Sequence, residues 1–259
     1  MDNNLKVYVT TSNKYLHVLK VFSYLFNRYW SPDQEVVVIG FDKSPDFELP
    51  KNFKFVSLGV SEGWGRYTLD IQKMLNEIIE DDYFIWLEEN EFIIRPVNFE
   101  ILEDLKKFLA PNLARIDFTR GTSDRPHNII KYTPSYQIIE AKQKAELRVC
   151  MRAGIFNKRT LLNYCKGVVS SSHIESVASD ISKNDGSRVF SSNGDWVVKN
   201  MDGICHLVGL HVSDLAALGK SGPFRRDSSW GLPIEADALK EMTELGYIKL
   251  RDDGLYDII

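Results

Sequence analysis

The sequence has few cysteines, and their spacing excludes two classes of small protein. Three cysteines occur among 259 residues, at Cys150, Cys165 and Cys205, and none forms a Cys-x-x-Cys pair. An odd number of widely spaced thiols fits neither a disulfide framework nor a structural zinc site. We therefore predict buried, reduced cysteines in a protein whose stability comes from its apolar core.

Long apolar runs, a basic excess and linker-like segments are also absent. No apolar run reaches the roughly 18 residues that cross a bilayer, and no signal-like leader is recognisable, so we expect a cytoplasmic protein without a membrane span. The net charge of −4 gives no overall attraction to nucleic acid, which would need a local basic patch. The 44% apolar content and the lack of repeats or Pro/Gly-rich linkers favour one sizeable core.

The first hundred residues alternate between strand and helix patterns. Apolar, β-branched runs predict strands at residues 5–10, 35–41, 53–58 and 83–87. Helical spacing of apolar residues predicts helices at residues 15–30 and 67–79. This order favours an α/β fold with a mostly parallel sheet covered by helices.

The remaining chain is less regular. We predict a helix at 98–109, a loop-rich segment at 111–134, a strand at 147–156 and a helix beginning at 158–165. A mobile polar segment at 170–192, a strand at 206–210, a helix at 236–245 and a hairpin turning at 252–254 complete the predictions. We divide the chain into a ligand-binding half (1–110), a second half of the same domain (111–231) and a C-terminal helix and hairpin (232–259).

An acidic cluster follows the strand at residues 83–87. Glu88, Glu89, Asn90 and Glu91 lie where ligands bind in open parallel sheets, beyond the carboxyl ends of the strands. Oxygen ligands of this kind suit Mg²⁺ or Mn²⁺, which typically bridge one or two carboxylates to substrate phosphates. The alternative is a solvated turn, with Glu91 pointing outward.

With its flanks, this region resembles nucleotide-sugar-dependent glycosyltransferases of the GT-A fold, in particular a bacterial and viral group. The resemblance rests on four segments: 8–15 (YVTTSNKY), 26–30 (FNRYW), 63–65 (GWG) and 83–93. It implies a Rossmann-type, mostly parallel sheet with a C-terminal acceptor-side lobe. It also places a metal- and diphosphate-binding element, usually paired aspartates, at Glu89, Asn90 and then Glu91, with Glu88 in a structural role.

The same resemblance implies contacts to the nucleotide. Thr10, Thr11 and Ser12 follow the first strand, where base and ribose bind, although a plain turn with a helix cap from Ser12 or Asn13 explains the same letters. Asp42, just past the second predicted strand, is placed to accept a hydrogen bond from ribose or uracil.

The glycine-containing loop and the C-terminal half supply further candidates. Arg66, near a helix start, could meet phosphate, whereas we interpret Trp64 as a packing residue. By the resemblance, His211 completes the metal site and Lys220 from a closing loop covers the diphosphate. A strand-end histidine and a solvated basic loop are the alternatives for these two residues.

An inverting transfer needs a base for the acceptor hydroxyl, and a carboxylate is the usual choice. Glu175 is our first candidate and Asp195, on a glycine turn beside Trp196, is its rival. Both are otherwise ordinary loop acids.

The resulting hypothesis is a hexosyl- or pentosyltransferase that uses a UDP-linked sugar with Mn²⁺ or Mg²⁺. Its acceptor is a carbohydrate or a hydroxymethylated DNA base. The alternatives are a catalytically inactive binding module of the same fold and a sugar-phosphate nucleotidyltransferase.

Basic residues could line a groove for a polyanion, although we favour scattered, solvated charges: Lys142, Lys144, Arg148, Arg152, Lys158, Arg159, Arg225 and Arg226.

Overall fold

The protein is described from a computed structural model that covers residues 5–119, 121–201, 234–252 and 256–259. A nine-stranded mixed sheet forms its centre, in the order β3-β2-β1-β4-β9-β6-β10-β8-β7. β1 to β4 are mutually parallel, and β6 is parallel to β10. β8 and β9 pair antiparallel with both of their neighbours, so the other seven strands share one direction. The predicted mostly parallel sheet flanked by helices is confirmed.

The strands of this sheet are short. Their bounds are Val7–Thr10 (β1), Val36–Gly40 (β2), Phe53–Ser57 (β3), Tyr83–Glu88 (β4), Leu113–Asp117 (β6), His127–Tyr132 (β7), Gln137–Ala141 (β8), Gly154–Asn157 (β9) and Arg188–Asn193 (β10). Two small antiparallel pairs accompany the sheet. They join Phe92–Ile93 (β5) to Asn200–Met201 (β11), and Ile248–Leu250 (β12) to Tyr256–Ile258 (β13).

Helices cover the two faces of the sheet. The α-helices span Leu19–Tyr29 (α1), Tyr67–Glu77 (α2), Phe99–Lys106 (α3), Lys158–Tyr164 (α4), Ile174–Ser182 (α5) and Ala236–Glu244 (α6). Short 3₁₀ helices at Leu16–Val18 and Trp64–Arg66 precede α1 and α2.

Alternation along the central strands divides the core into two layers. On β4, Ile85 and Leu87 join the core layer that contains α1 and α3, whereas Phe84 and Trp86 join the layer under α2, α4 and α5. Glu88 is the next residue on the Phe84–Trp86 face. The end of β4 therefore directs Glu88 toward the side of the sheet that α2 and α5 cover.

Three sequence predictions are wrong for the second half of the sheet. The loop-rich segment at 111–134 contains β6 and β7, and the mobile segment at 170–192 contains α5 and the internal strand β10. Of the strand predicted at 147–156, only the last three residues are extended in the sheet, where β9 spans Gly154–Asn157. β6 and β10 were missed because buried polar side chains interrupt their apolar pattern; Arg115, Asp117 and Ser191 are all fully buried.

The remaining element predictions agree with the structure within a few residues, including the helix at 98–109, the C-terminal helix and the β12–β13 pair. The strand predicted at 206–210 and most of the 252–254 turn lie outside the described residues. In the described chain, Cys165 is buried and both Cys150 and Cys165 are free thiols. The helices that the structure describes include none long and apolar enough to span a membrane.

Candidate functional site

The carboxyl ends of β1, β2 and β4 meet at one edge of the sheet. Thr10 is in register with Ile39 on one side and with Glu88 on the other. Beyond the strands, Thr11 N–H donates to the Ile39 carbonyl (2.9 Å) and Glu89 N–H to the Thr10 carbonyl (3.2 Å). The predicted nucleotide and metal contacts that follow these three strands are thereby brought to one edge: Thr10, Thr11, Ser12, Asp42, Glu89, Asn90 and Glu91.

The loop after β1 offers one unused hydroxyl. Thr10 Oγ1 accepts a hydrogen bond from Trp86 Nε1 (2.9 Å), so this side chain is already engaged. Ser12 Oγ is buried, with no hydrogen-bond partner in the described residues. The helix-cap interpretation of Ser12 and Asn13 is wrong, because neither Leu16–Val18 nor α1 has a side-chain cap among these residues. Ser12 is therefore available for a ligand.

Asp42 lies at the end of β2, exposed to solvent. Its Oδ1 accepts a hydrogen bond from Asn13 Nδ2 at 2.5 Å, and this contact lowers the pKa of the Asp42 carboxyl below its ordinary value. Asn13 Oδ1 in turn accepts the Lys43 N–H (3.2 Å). Asp42 is thus an oriented, ionised acceptor beside the loop after β1.

The acidic segment forms a tight turn in which the side chains have different surroundings. Glu91 N–H donates to the Glu88 carbonyl (3.0 Å), and Glu91 Oε2 accepts the N–H of Ala153 (2.7 Å). Glu91, not Glu88, therefore makes the structural hydrogen bond, contrary to the sequence interpretation. Glu88 is half-buried and its carboxylate has no hydrogen bond within the described chain, while Asn90 Oδ1 is buried and likewise without a partner there.

Carboxyl groups are concentrated at this turn. Burial raises the pKa of Glu88 well above its ordinary value, and the neighbouring Glu91, Glu89 and Glu175 raise it further, while Arg152 opposes them. Burial also raises the pKa of Glu89 to about 8, against hydrogen bonding from the backbone and from Thr11. A bound cation would relieve this repulsion.

The two predicted bases occupy different surroundings. Glu175 lies in the first turn of α5, belongs to the group of charges around Glu88, and accepts the Met151 N–H at Oε1 (2.8 Å). Asp195 pairs with Lys199 (3.1 Å) and accepts the Trp196 N–H (3.0 Å), beside a separate cavity. The structure thus groups Glu175, but not Asp195, with the acidic turn.

Residues 151–153, which the sequence analysis placed in a strand, instead join these acids. The N–H groups of Met151 and Ala153 bind Glu175 and Glu91, and the carbonyls of residues 152 and 153 accept from Arg115 Nη2 at 3.0 and 3.2 Å. Arg115 is completely buried on β6. A charged residue inside an otherwise apolar strand was the available sequence signal.

The glycine-containing loop differs from expectation. Trp64 is 70% exposed, so its interpretation as a packing residue is wrong. Its carbonyl accepts the Ser171 N–H (3.1 Å), which places the loop next to the segment before α5. Arg66 is exposed and pairs with Glu62 (3.2 Å). A phosphate contact from Arg66 stays a prediction.

At least one of the basic residues that could line a groove is buried inside the protein. Arg148 is 1% exposed and donates to the carbonyls of Ser182 (2.8 Å) and Ser187 (3.1 Å) inside the protein. Lys158 Nζ binds the Ile79 carbonyl (2.6 Å). Arg148 is therefore neither a groove residue nor a solvated charge, and Arg225 and Arg226 lie outside the described residues.

The predicted set of metal ligands is incomplete in the described part of the chain. His211 and Lys220 both lie outside the described residues. Among the residues that are described, no three His, Cys, Asp or Glu side chains are grouped to hold a metal ion. From the described residues, a cation at the acidic turn would have fewer than three such ligands, with the amide oxygen of Asn90 and substrate oxygens as further donors.

Comparisons with known proteins gave structural overlaps only, since no family model and no curated protein matches the sequence. An active-site mutant of LgtC overlaps 68% of this chain and 69% of its own, at 12% identity and a TM-score of 0.39. The glycosyltransferase GlyE of Streptococcus pneumoniae TIGR4 overlaps 71% of this chain and 45% of its own, at 10% identity and a TM-score of 0.41. The bifunctional glycosyltransferase WbbM overlaps 69% of this chain and 38% of its own, at 7% identity and a TM-score of 0.40. The chain spans less than half of GlyE and WbbM, and overlaps at these scores assign it neither family nor activity.

Proposed function

We propose that the protein is a glycosyltransferase that moves a sugar from a nucleotide-diphosphate sugar to a hydroxyl acceptor. The observation that carries the proposal is the position of Glu88. Its carboxylate ends a central parallel strand, has no hydrogen bond within the described chain, and is surrounded by Glu89, Glu91 and Glu175. Such a carboxylate at a strand end is suited to a cation-bound diphosphate, in keeping with the motifs of the sequence.

The donor set of the turn fits a hard divalent cation. Asn90 Oδ1 is a buried oxygen without a partner among the described residues, and the Glu88 carboxyl group lies close to Glu89, Glu91 and Glu175. These two side chains would hold Mg²⁺ or Mn²⁺; Glu89 and Glu91 remain predicted ligands, although Glu91 already accepts from Ala153. When bound, the cation supplies positive charge to the leaving diphosphate.

Residues around the loop after β1 would bind the nucleotide. The unused hydroxyl of Ser12 and the ionised carboxylate of Asp42 offer a donor and an acceptor to ribose or to a uracil imide. Thr10 and Thr11 shape this loop through their hydrogen bonds to Trp86 and Ile39. UDP is the nucleotide that we propose, with Arg66 and Lys220 as further contacts to phosphate.

Glu175 would act as the base. Its Oε1 is fixed by the Met151 N–H, which leaves Oε2 to take the proton of the acceptor hydroxyl as that oxygen attacks the anomeric carbon. The proton moves to Glu175, and the glycosidic bond to the diphosphate breaks. A carbohydrate acceptor is favoured over DNA because Arg148, one of the basic residues considered for a polyanion groove, is buried.

The proposal is tested by incubating the protein with a panel of nucleotide sugars and Mn²⁺ and measuring release of nucleoside diphosphate. We expect turnover with at least one donor and its loss in Glu88→Gln. The matched control is Glu77→Gln, an exposed glutamate at the end of α2, which should retain full activity.

Turnover that survives Glu88→Gln would contradict this site. No turnover with any donor would favour the inactive binding module, which the amide at Asn90 motivates. Binding of hydroxymethylated duplex DNA that weakens as salt rises would move the acceptor from carbohydrate to DNA.

A further inference from the structure

A cavity lies away from the acidic turn, and none of the residues of that turn lines it. Its volume is about 440 Å³, within the range of small-molecule sites. The polar and aromatic residues that line it are Arg95, Asn98, Phe99, Asp195, Trp196 and Lys199. The residues come from two segments, the connection between β5 and α3 and the connection between β10 and β11. None of them has a part in the proposed cation and nucleotide site except Asp195, the second candidate base.

Backbone hydrogen bonds hold the two segments together. Ile94 N–H donates to the Lys199 carbonyl (3.0 Å) and Asn98 N–H to the Val197 carbonyl (2.9 Å). Asn98 Oδ1 also caps α3 by accepting the Ile101 N–H (3.2 Å). The cavity is therefore a formed feature of the fold.

The charges of the cavity are mutually compensated. Asp195 pairs with Lys199 at 3.1 Å and accepts from Asn98 Nδ2 at 3.3 Å, and Arg95 pairs with Glu235 at 3.6 Å. A phosphate or carboxylate ligand would have to compete with these acidic partners. The balance favours a ligand without net charge.

Two aromatic residues add an apolar surface and an unsatisfied donor. Trp196 Nε1 is buried, and no hydrogen-bond partner for it exists within the described chain. The Phe99 ring is 45% exposed at the rim of the cavity. The half-exposed Phe99 ring, the Trp196 side chain and the polar Asp195–Lys199 pair together match the apolar faces and hydroxyls of a sugar.

The topology relates the cavity to the acidic turn. β4 and β10 run in the same direction, so Glu88 and the segment after Asn193 emerge at the same edge of the sheet. The strands β9 and β6 separate them, which corresponds to about 14 Å across the sheet at roughly 4.8 Å per strand. A chain of a few sugar residues spans this distance.

We propose that this cavity binds a neutral saccharide unit, as a distal subsite for the acceptor. The binding site stands on the contacts above, whereas its role as an acceptor subsite rests on the proposed function. In this account Asp195 orients the saccharide through its paired carboxylate and does not act as the base.

Direct binding tests the site without any turnover. Maltotriose, cellotriose and triacetylchitotriose would be titrated into the full chain by calorimetry, in the absence of a nucleotide sugar. We expect saturable binding of at least one trisaccharide, weakened about tenfold or more in Trp196→Phe and in Phe99→Ala, the tenfold corresponding to about 1.4 kcal/mol. The matched control is Tyr132→Ala, a 74% exposed aromatic residue on β7, which should bind as the wild type does.

Trp196→Phe keeps an aromatic side chain but removes the indole N–H and the second ring. It guards against misfolding of Phe99→Ala, because the Phe99 ring packs on Trp30 with ring centroids 6.2 Å apart. The site would be overturned if none of the three trisaccharides bound. It would also be overturned if both cavity variants bound as tightly as the wild type. Trisaccharide binding by the wild-type protein, when that wild-type protein turns over no nucleotide sugar, would support the cavity and contradict the proposed function.

Discussion

Arg115 Nη2 lies 3.1 Å from Asp117 Oδ1, and both side chains are completely shielded from solvent. Asp117 also accepts hydrogen bonds from the N–H and hydroxyl groups of Thr119 and Thr122. Arg115 additionally donates to Cys150 Sγ and to the backbone carbonyls that follow it. The pair therefore ties β6 to the segment whose N–H groups hold Glu91 and Glu175.

Replacing Arg115 should destabilise the protein. Arg115→Met leaves the Asp117 charge buried without its cation, for which a loss of about 3–5 kcal/mol in the free energy of unfolding is typical. Arg115→Lys keeps the charge but not the planar set of donors, so a smaller loss is expected. Urea denaturation of the three proteins measures both effects. Equal stability of wild type and Arg115→Met would contradict the role given to this pair.

Glu89 should make the stability depend on pH. Its pKa of about 8 in the folded protein exceeds the ordinary 4.5, so the folded state holds a proton that the unfolded state has lost between these values. The contribution of Glu89 to stability is fully present below pH 4.5 and is lost as pH rises toward 8, by up to about 1.4 kcal/mol per unit.

Glu89→Gln removes this titration, so its unfolding free energy should lose less across that window than the wild-type value in metal-free buffer. Glu77→Gln, exposed on α2, serves as the control and should follow the wild type. Parallel profiles for wild type and Glu89→Gln would show that Glu89 is ionised in the folded protein.

Glu175→Gln should impair the chemical step selectively. Glutamine still accepts the Met151 N–H through Oε1 but cannot take a proton, so kcat should fall about 10²- to 10⁴-fold with little change in the KM of the donor. Asp180→Asn, on the exposed side of the same helix, is the control. An equal decrease in Asp180→Asn, or full activity of Glu175→Gln, would remove Glu175 from the mechanism.

Gly154 is required by close packing at the start of β9. A Cβ there would lie 2.3 Å from the Ile116 carbonyl oxygen, so Gly154→Ala should cost at least about 1–3 kcal/mol of stability. Gly65 has no atom within 4 Å of such a Cβ, and Gly65→Ala should be nearly neutral. Thermal unfolding of both variants checks the contrast, and similar midpoints would contradict it.

The first half of the fold could be predicted because its sequence pattern agrees with its environment. β1, β2 and β4 are apolar, and the helices after β1 and β3 show clear amphipathic spacing. The acidic turn followed directly from the end of β4. The sequence did not predict which of these acids remains available for a ligand. That depends on the Ala153 N–H, which binds Glu91 and lies 62 residues away from it in sequence.

The second half contains buried polar residues that have partners only in the folded protein. On α5, Ser179 Oγ bonds the backbone of Val149, and on β10 Ser191 Oγ bonds the Asp117 carbonyl. Such serines are indistinguishable from surface residues in a local pattern. The helix and the strand were therefore interpreted as one mobile segment.

The central claim is that the end of β4 holds a cation-bound nucleotide diphosphate. Anomalous diffraction from crystals soaked with UDP and Mn²⁺ tests it most directly. The account predicts a manganese peak coordinated by Glu88 and Asn90 Oδ1, with the diphosphate beside it and the nucleoside against Ser12 and Asp42. A manganese peak elsewhere, or UDP bound away from this edge of the sheet, would contradict it.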